Sequence, residues 1–374
     1  MIYLDNAATT PVDQDVLEEM LPYYNDKFYN PSSFYKSASS VRVKIEKARR
    51  TIAECMGASH RGIFFTSGGT ESDNWAIRAA VEYKKDKGRH IISTPTEHPA
   101  VLNTLRYLES IGFQVTYLDV DGEGNIFLDE LEKAIRPDTV LISVMHANNE
   151  IGTLAPVEKI GQLAHRNDIL FHTDAVQSFG KQRIDIDKCN IDLLSASSHK
   201  IYGPKGTGLL YINPLLPLGK LLFGGDQENG KRPGTENTAG IIGFSKAVEN
   251  AFLNLDKNGE YIDSLSVLLR EEIKNNIPGA VFLGSQDQRV PGIVSVLFPS
   301  LDSETVLIRL DEAEIMASAG SACSAGAVEP SHVLTAVGLE AREAKRVIRF
   351  SLGKNNTKEE IMETARVLKD IFAG

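Results

Sequence analysis

Cysteine is scarce in this chain of 374 residues: there are three, Cys55, Cys189 and Cys323, and no two form a C-x-x-C pair. An odd, sparse set excludes a disulfide framework and a zinc site, so no metal is expected and at most one thiol has special chemistry. Long apolar runs are missing too, and the opening Met1-Ile2-Tyr3-Leu4-Asp5 has no basic stretch of the kind that begins a secretion signal. Positive charge is in deficit. Lys and Arg number 40 against 50 Asp and Glu, a net charge of −10, which argues against nucleic acid or an anionic membrane as the main partner. Internal repeats and low-complexity linkers are absent. What remains is the composition of a cytoplasmic globular protein, 42% apolar, whose length predicts two domains.

What is present alternates. Seven strand-like runs, at 62–66, 90–93, 114–118, 140–145, 169–173, 191–196 and 208–212, are interleaved with helical patterns at 70–83, 100–111, 129–135 and 157–166. This is the βαβ pattern of a mainly parallel sheet covered on both faces, whose ligands bind beyond the carboxyl ends of the strands. Residues 1–36 read as mostly irregular. A helix follows from Ser37, where Val41, Ile45, Ala48, Ile52 and Cys55 recur at helical spacing and Gly57 stops it. Cys55 thus reads as a structural thiol on the apolar stripe, and Cys189 has no setting that suggests otherwise. Near 250–260 the pattern changes. A helix at 264–274, strands at 280–283 and 292–298, a helix at 303–310, a short helix at 331–337, a strand at 347–352 and a closing helix at 358–372 suggest a smaller α+β domain. The expected division is 1–255 for a large cofactor-binding domain and 256–374 for the small one. The first 15 or so residues are assigned provisionally to packing with the latter.

Chemistry-bearing residues gather at the strand ends. Lys200 follows the run 191–196 behind Ser197, Ser198 and His199 and precedes the turn Tyr202-Gly203-Pro204-Lys205-Gly206. That setting suits a Schiff-base lysine, although an exposed lysine before a turn would read the same. Ser67-Gly68-Gly69-Thr70 runs from a strand into a helix, as a phosphate cradle or a tight turn with Thr70 as cap. His98 stands before Pro99 at a helix start, either stacking on a planar ring or capping. Asn149 ends the run 140–145, as an amide donor or a turn former. Asp174 closes the strand at 169–173, with Gln177 three residues on. A carboxylate facing a pyridine nitrogen keeps it protonated, so Asp174 and Lys200 on nearby strand ends are what pyridoxal phosphate needs. Thr235, in Arg232-Pro233-Gly234-Thr235, offers a second phosphate hydroxyl or a helix cap. Arg349 alternates with Ile348 and Phe350 and could clamp a carboxylate or face solvent. The stretch 317–327 has no bulky side chain, so mobility and an exposed Cys323 are expected at about 317–330.

In order and spacing these stretches resemble the cysteine desulfurases, of the class V aminotransferase branch of fold-type I pyridoxal-phosphate enzymes. The resemblance runs from Tyr3-Leu4-Asp5-Asn6-Ala7-Ala8-Thr9-Thr10-Pro11 through Thr-Glu-Ser-Asp-Asn at 70–74 and Asn-Asn-Glu-Ile-Gly at 148–152. It continues through His-Lys-Ile-Tyr-Gly-Pro-Lys-Gly at 199–206 to Ser-Ala-Cys at 321–323 and Arg-Phe-Ser-Leu-Gly at 349–353. It implies an α/β transferase with a mainly parallel seven-stranded sheet and a smaller α+β domain.

By the same resemblance, Lys200 carries the cofactor as an imine, His98 stacks over the ring, Asp174 pairs with the ring nitrogen and Gln177 meets the phenolic oxygen. Gly69, Thr70, Ser197 and His199 would hold the phosphate, with Thr235 reaching over from the other subunit of a homodimer. Asn149 and Arg349 would receive the substrate carboxylate. Cys323 would take sulfur from L-cysteine as a persulfide, leaving L-alanine, and pass it to an acceptor protein such as an iron–sulfur scaffold or a thiolation enzyme. Three departures from the family pattern, Ser198, Asp226 and Pro233, lie at or near the phosphate site. The chain ends at Gly374 without the C-terminal extension some members use to dock a scaffold, which leaves the partner open. Alternatives are selenocysteine cleavage or another class V reaction and, outside enzymes, a sulfur-transfer scaffold.

Overall fold

A computed structural model describes residues 1–320 and 330–373. The chain opens with β1 (Ile2–Tyr3), α1 (Gln14–Met20), α2 (Pro22–Asn25) and the long α3 (Lys36–Met56). There follow β2 (Ile63–Thr66), α4 (Gly69–Tyr83), β3 (His90–Ser93), α5 (Pro99–Ser110), β4 (Gln114–Tyr117), α6 (Leu128–Ala134), β5 (Thr139–Ser143), α7 (Val157–Arg166), β6 (Leu170–Asp174), β7 (Leu193–Ser197) and β8 (Gly208–Ile212). These strands form one seven-stranded sheet in the order β2-β8-β7-β6-β5-β3-β4. Only β8 runs against its neighbours, pairing antiparallel with β7 and β2. Every residue of β2, β3, β5, β6, β7 and β8 is buried, because apolar faces cover both sides of the sheet. Trp75, Ile77, Val101 and Leu105 from α4 and α5 pack on one side. Ile45, Ile52, Ile160 and Phe244 pack on the other.

After α8 (Thr238–Leu253) and α9 (Leu255–Asn276) come β9 (Val281–Leu283), β10 (Ile293–Leu297), α10 (Ser303–Glu312), β11 (Ile315–Met316), α11 (His332–Ala336), α12 (Ala341–Ala344), β12 (Val347–Ser351) and α13 (Lys358–Ala373). A second core is built by α9, β10, α10, β11, β12 and α13, while α11 and α12 pack with Ile151 and Leu283 in a smaller cluster. Strands β12, β10 and β9 form an antiparallel sheet. The N-terminus joins this region: β1 pairs in parallel with β11, and Asp5 bridges to Ser351.

Helices α1, α2 and α9 differ from expectation. The stretch read as irregular contains α1 and α2. In α1 only Val16 and Met20 are buried, too few turns for a period to stand out, and the helix is held by packing on α8. Helix α9 starts nine residues before position 264, at Leu255. Its first half is polar and anchored from outside, with Tyr261 Oη donating to the Asn356 carbonyl at 2.7 Å. Among the described residues no helix is long and apolar enough to cross a membrane.

Candidate active site

The centre is the 3-10 turn Ser198–Lys200 at the end of β7. It closes so tightly that a Cβ at Gly203 would lie 2.1 Å from Ser198 Oγ, and Tyr202 takes a left-handed φ of 65°. That return directs Lys200 back toward the N-terminal segment, where its Nζ donates to the carbonyls of Ala7 at 2.6 Å and Ala8 at 2.7 Å. The segment is fixed at both ends: Ala7 N donates to Ser351 Oγ at 2.8 Å and Thr10 N to the His199 carbonyl at 2.9 Å.

Lys200 lines a cavity of about 230 Å³ together with His98, Asn149, Asp174, Gln177 and Arg349. Asp174 ends β6 as expected. It is buried and accepts a hydrogen bond from Val176 N at 2.9 Å. Burial raises its pKa, an effect that His98, the Val176 N–H and Lys200 oppose. A cation entering beside it would restore the charged form. His98 takes the capping role the sequence allowed and also lines the cavity. It caps α5 with Nδ1 accepting from Ala100 N at 3.1 Å. With Nδ1 occupied as an acceptor, the ring proton belongs on Nε2. Burial lowers its pKa, against the pull of Asp174.

The two adjacent asparagines divide their work. Asn148 Oδ1 accepts from Glu150 N at 2.8 Å and Ile151 N at 3.0 Å, making the turn. Asn149 is left to line the cavity, its carbonyl accepting from Arg349 Nη1 at 2.9 Å. Arg349 alternates on β12 as expected: Ile348 and Phe350 enter the second core, while the guanidinium reaches the cavity wall and pairs with Asp5 at 2.8 Å.

The stretch read from sequence as a phosphate cradle lines the same cavity. Gly69, Thr70, Ser197 and His199 line it and also border a neighbouring cavity of about 410 Å³ that includes Lys205. A Cβ on Gly69 would lie 2.7 Å from Val176 Cγ2, so only glycine lets the start of α4 approach this closely. Burial and nearby lysines push the His199 pKa down to about 4, leaving a neutral ring, with Nδ1 3.1 Å from Thr9 Oγ1.

Thr235 is not part of this wall; it is exposed and outside the cavity of its own chain. Cys323 lies outside the described residues. Cys189 is buried and Cys55 half-buried, both free. Sequence reasoning missed Asp73, a buried carboxyl on the same cavity whose pKa burial and Asp174 hold well above the carboxylate range. The stretch 70–74 carried it in plain sight, but nothing in its composition marked that aspartate as inward-facing.

Comparison with known proteins decides the family. The description "Aminotransferase class-V" matches residues 2–363. The chain belongs to the class V aminotransferase family. Class V relatives include "Cysteine desulfurase IscS" of Dictyoglomus turgidum, 46% identical over 371 residues covering 99% of this chain and 94% of that protein. "Putative cysteine desulfurase IscS 1" of Bacillus subtilis is 44% identical, covering 99% and 98%. Among solved structures, a "NIFS-LIKE PROTEIN" superposes with a TM-score of 0.94 at 39% identity, covering 100% of this chain and 99% of its own. Another, "SspA in complex with cysteine", gives 0.84 at 41% identity, covering 96% and 100%.

The cofactor of this class V family is pyridoxal phosphate, and the residues fit it. Asp73 Oδ1, on a residue that lines the cavity, is buried without a hydrogen-bond partner. Glycine clears the cradle, neutral His199 and two hydroxyls face an anion, and a lysine and a carboxylate share the floor.

Proposed function

We propose that the protein is a cysteine desulfurase, converting L-cysteine to L-alanine and taking the sulfur onto Cys323 as a persulfide. The observation that carries this reading is the meeting of Lys200, Asp174, His98, Asn149 and Arg349 on one cavity. Bound pyridoxal phosphate supplies an electron sink for the bonds of the substrate's α-carbon. Thr70, Ser197 and His199 would hold its phosphate, and the Gly69 backbone approaches it closely. Asp174 would face its ring nitrogen and Gln177 its ring oxygen, with His98 over the ring face.

The chain's own residues do the rest. Arg349, already oriented by Asp5, offers a guanidinium to the substrate carboxylate, and the Asn149 amide offers a second donor. Once its amine is free, Lys200 moves the α-proton; its Nζ stands where the Ala7 and Ala8 carbonyls fix it. His98 can hold a proton at Nε2 for the departing sulfur or the incoming thiol. The Cys323 thiolate then forms an S–S bond as the substrate's C–S bond breaks. That electron pair stays with carbon, which takes up a proton, so cysteine plus thiol becomes alanine plus persulfide with no external oxidant.

The acceptor of the persulfide sulfur is a protein, and the working unit we propose is a homodimer. Large exposed apolar side chains, among them Phe28, Phe34, Leu215 and Phe223, and the position of Thr235 away from its own cavity support a second copy. The compartment we propose is the cytoplasm, where thiols stay reduced. We also infer a large domain at 1–255 and a small one at 256–374 bearing the Cys323 loop, a division supported by the two separate apolar cores.

The test is direct. Purified protein with cofactor and L-cysteine should yield alanine and a persulfide on Cys323, read by peptide mass spectrometry, and borohydride should fix the cofactor to Lys200. Alanine formed without a Cys323 persulfide would sink the acceptor role. A label on a residue other than Lys200 would sink the whole reading.

A further inference from the structure

The turn after β6 carries a lysine that the chemistry above leaves unused. From Ala175 to Gln182 the backbone makes helical turns, Phe179 N donating to the Ala175 carbonyl at 2.7 Å and Gln182 N to the Ser178 carbonyl at 2.9 Å. Gln177 and Lys181, four apart, therefore share a face. Gly180 takes φ +69°, and a Cβ there would lie only 3.0 Å from Ala251 Cβ, so the chain presses into the core just before Lys181. Lys181 ends half-buried on a cavity of about 50 Å³ behind Lys200, which lines both this cavity and the one in front.

The hydrogen bonds settle the orientation of the Gln177 amide. Its Nε2 donates to the Ala7 carbonyl at 2.8 Å, and its Oε1 accepts from Lys181 Nζ at 3.3 Å. The Ala7 carbonyl can only accept, so the amide nitrogen must face it, and Oε1 is left to accept from the Lys181 amine. The amide oxygen is engaged from behind, and what Gln177 has left to give the cavity is its second N–H.

We propose that Lys181 is a positioning residue that locks the Gln177 amide with its nitrogen forward, so that the site presents a donor, and no acceptor, to the oxygen of the bound ring. This rests on the cofactor reading above. The titratable and charged groups around Lys181 are Lys200, Arg349 and the neutral His199, with Asp13 and Lys354, paired to each other, across the rear cavity. Burial, Lys200 and Arg349 lower its amine to about 7. Replacing this half-buried amine by methionine keeps the length of the side chain and opens no large void, so Lys181→Met should fold; Lys181→Thr makes the same test if it does not.

The readout is the pH midpoint of the visible absorbance change of the protein reconstituted with pyridoxal phosphate. A donor to an anionic oxygen favours its deprotonated form, so weakening it raises the midpoint. Lys181→Met should raise it by about half a pH unit or more, the scale of one hydrogen bond. Lys181→Arg, which keeps a donor, should stay nearer the wild type. In a Gln177→Leu background the methionine change should add nothing. An equal shift in both backgrounds, or none in either, overturns the proposal. A wild-type protein with no visible band overturns the cofactor reading and this inference with it, whereas a normal band with an unmoved midpoint overturns the inference alone.

Discussion

Arg349 Nη2 lies 2.8 Å from Asp5 Oδ1, an ion pair between two positions 344 residues apart. The same guanidinium donates to the Asn149 carbonyl, so both the N-terminal segment and the loop after β5 decide where it points. Asp5→Ala removes one of these constraints while leaving the charge. KM for L-cysteine is expected to rise about tenfold, the scale of one charge-assisted hydrogen bond, with kcat nearly unchanged. Steady-state kinetics separate the two constants. A fall in kcat at constant KM would mean that Asp5 serves the reaction and not the carboxylate clamp.

Lys200→Ala removes the amine from the floor of the cavity and leaves its walls intact. Sulfur release from cysteine is expected to fall by about 10³-fold or more. Cofactor should still bind, since Thr70, Ser197, His199 and Asp174 remain, but it should leave on dialysis. Retained absorbance after dialysis would show that Lys200 is not what keeps the cofactor on the protein.

Much of this site is legible in the chain's local patterns. Strand ends can be placed because an apolar run closed by a polar cluster is a local signal, and Asp174, Lys200 and His98 stand at such ends or in the loops that follow them. The alternation that puts Arg349 opposite Ile348 and Phe350 is likewise local. What stays hidden depends on contacts remote in sequence. The carbonyls of Ala7 and Ala8 hold Lys200 from 193 and 192 positions away, and no side chain announces them. Asp73 reads as an ordinary polar residue on a helix until α4 is laid on the sheet beside Asp174. Helix α1 escapes because its buried face is two residues wide.

His172 gives a prediction about pH. It is fully buried, Nδ1 lying 2.9 Å from Ser143 Oγ and Nε2 3.1 Å from Ser195 Oγ, and burial lowers its pKa to about 3. In the unfolded chain a histidine titrates near about 6.5, so on acidification the unfolded state takes up the proton first. The contribution of a neutral His172 is therefore fully present above about 6.5 and is lost as pH falls from there toward 3. His172→Asn lacks this titration. The stability difference between wild type and variant should be constant from about pH 7 to 8 and shrink steadily below about 6, as read by urea unfolding. A difference that does not change down to about pH 4.5 would contradict a neutral buried ring.

The Arg49–Glu228 pair yields the last prediction. Arg49 Nη1 and Nη2 meet both carboxylate oxygens of Glu228, at 2.8 and 2.5 Å, and both side chains are almost wholly buried. Glu228 also accepts from Phe65 N at 2.8 Å, on the strand that leads into Ser67-Gly68-Gly69. It holds this place with a left-handed φ of 48°, a conformation that a glutamate adopts only under constraint from its partners. Arg49→Met leaves that carboxylate buried and half-satisfied and should lower stability by about 3–5 kcal/mol. Arg49→Met with Glu228→Leu removes both charges and should recover much of the loss, since a buried pair contributes little beyond offsetting its own desolvation. Because Phe65 anchors the start of the phosphate cradle, the single variant should also bind pyridoxal phosphate more weakly in a dialysis titration. If the double variant regains stability but not cofactor affinity, Glu228 is setting the register of the cradle through its bond to Phe65.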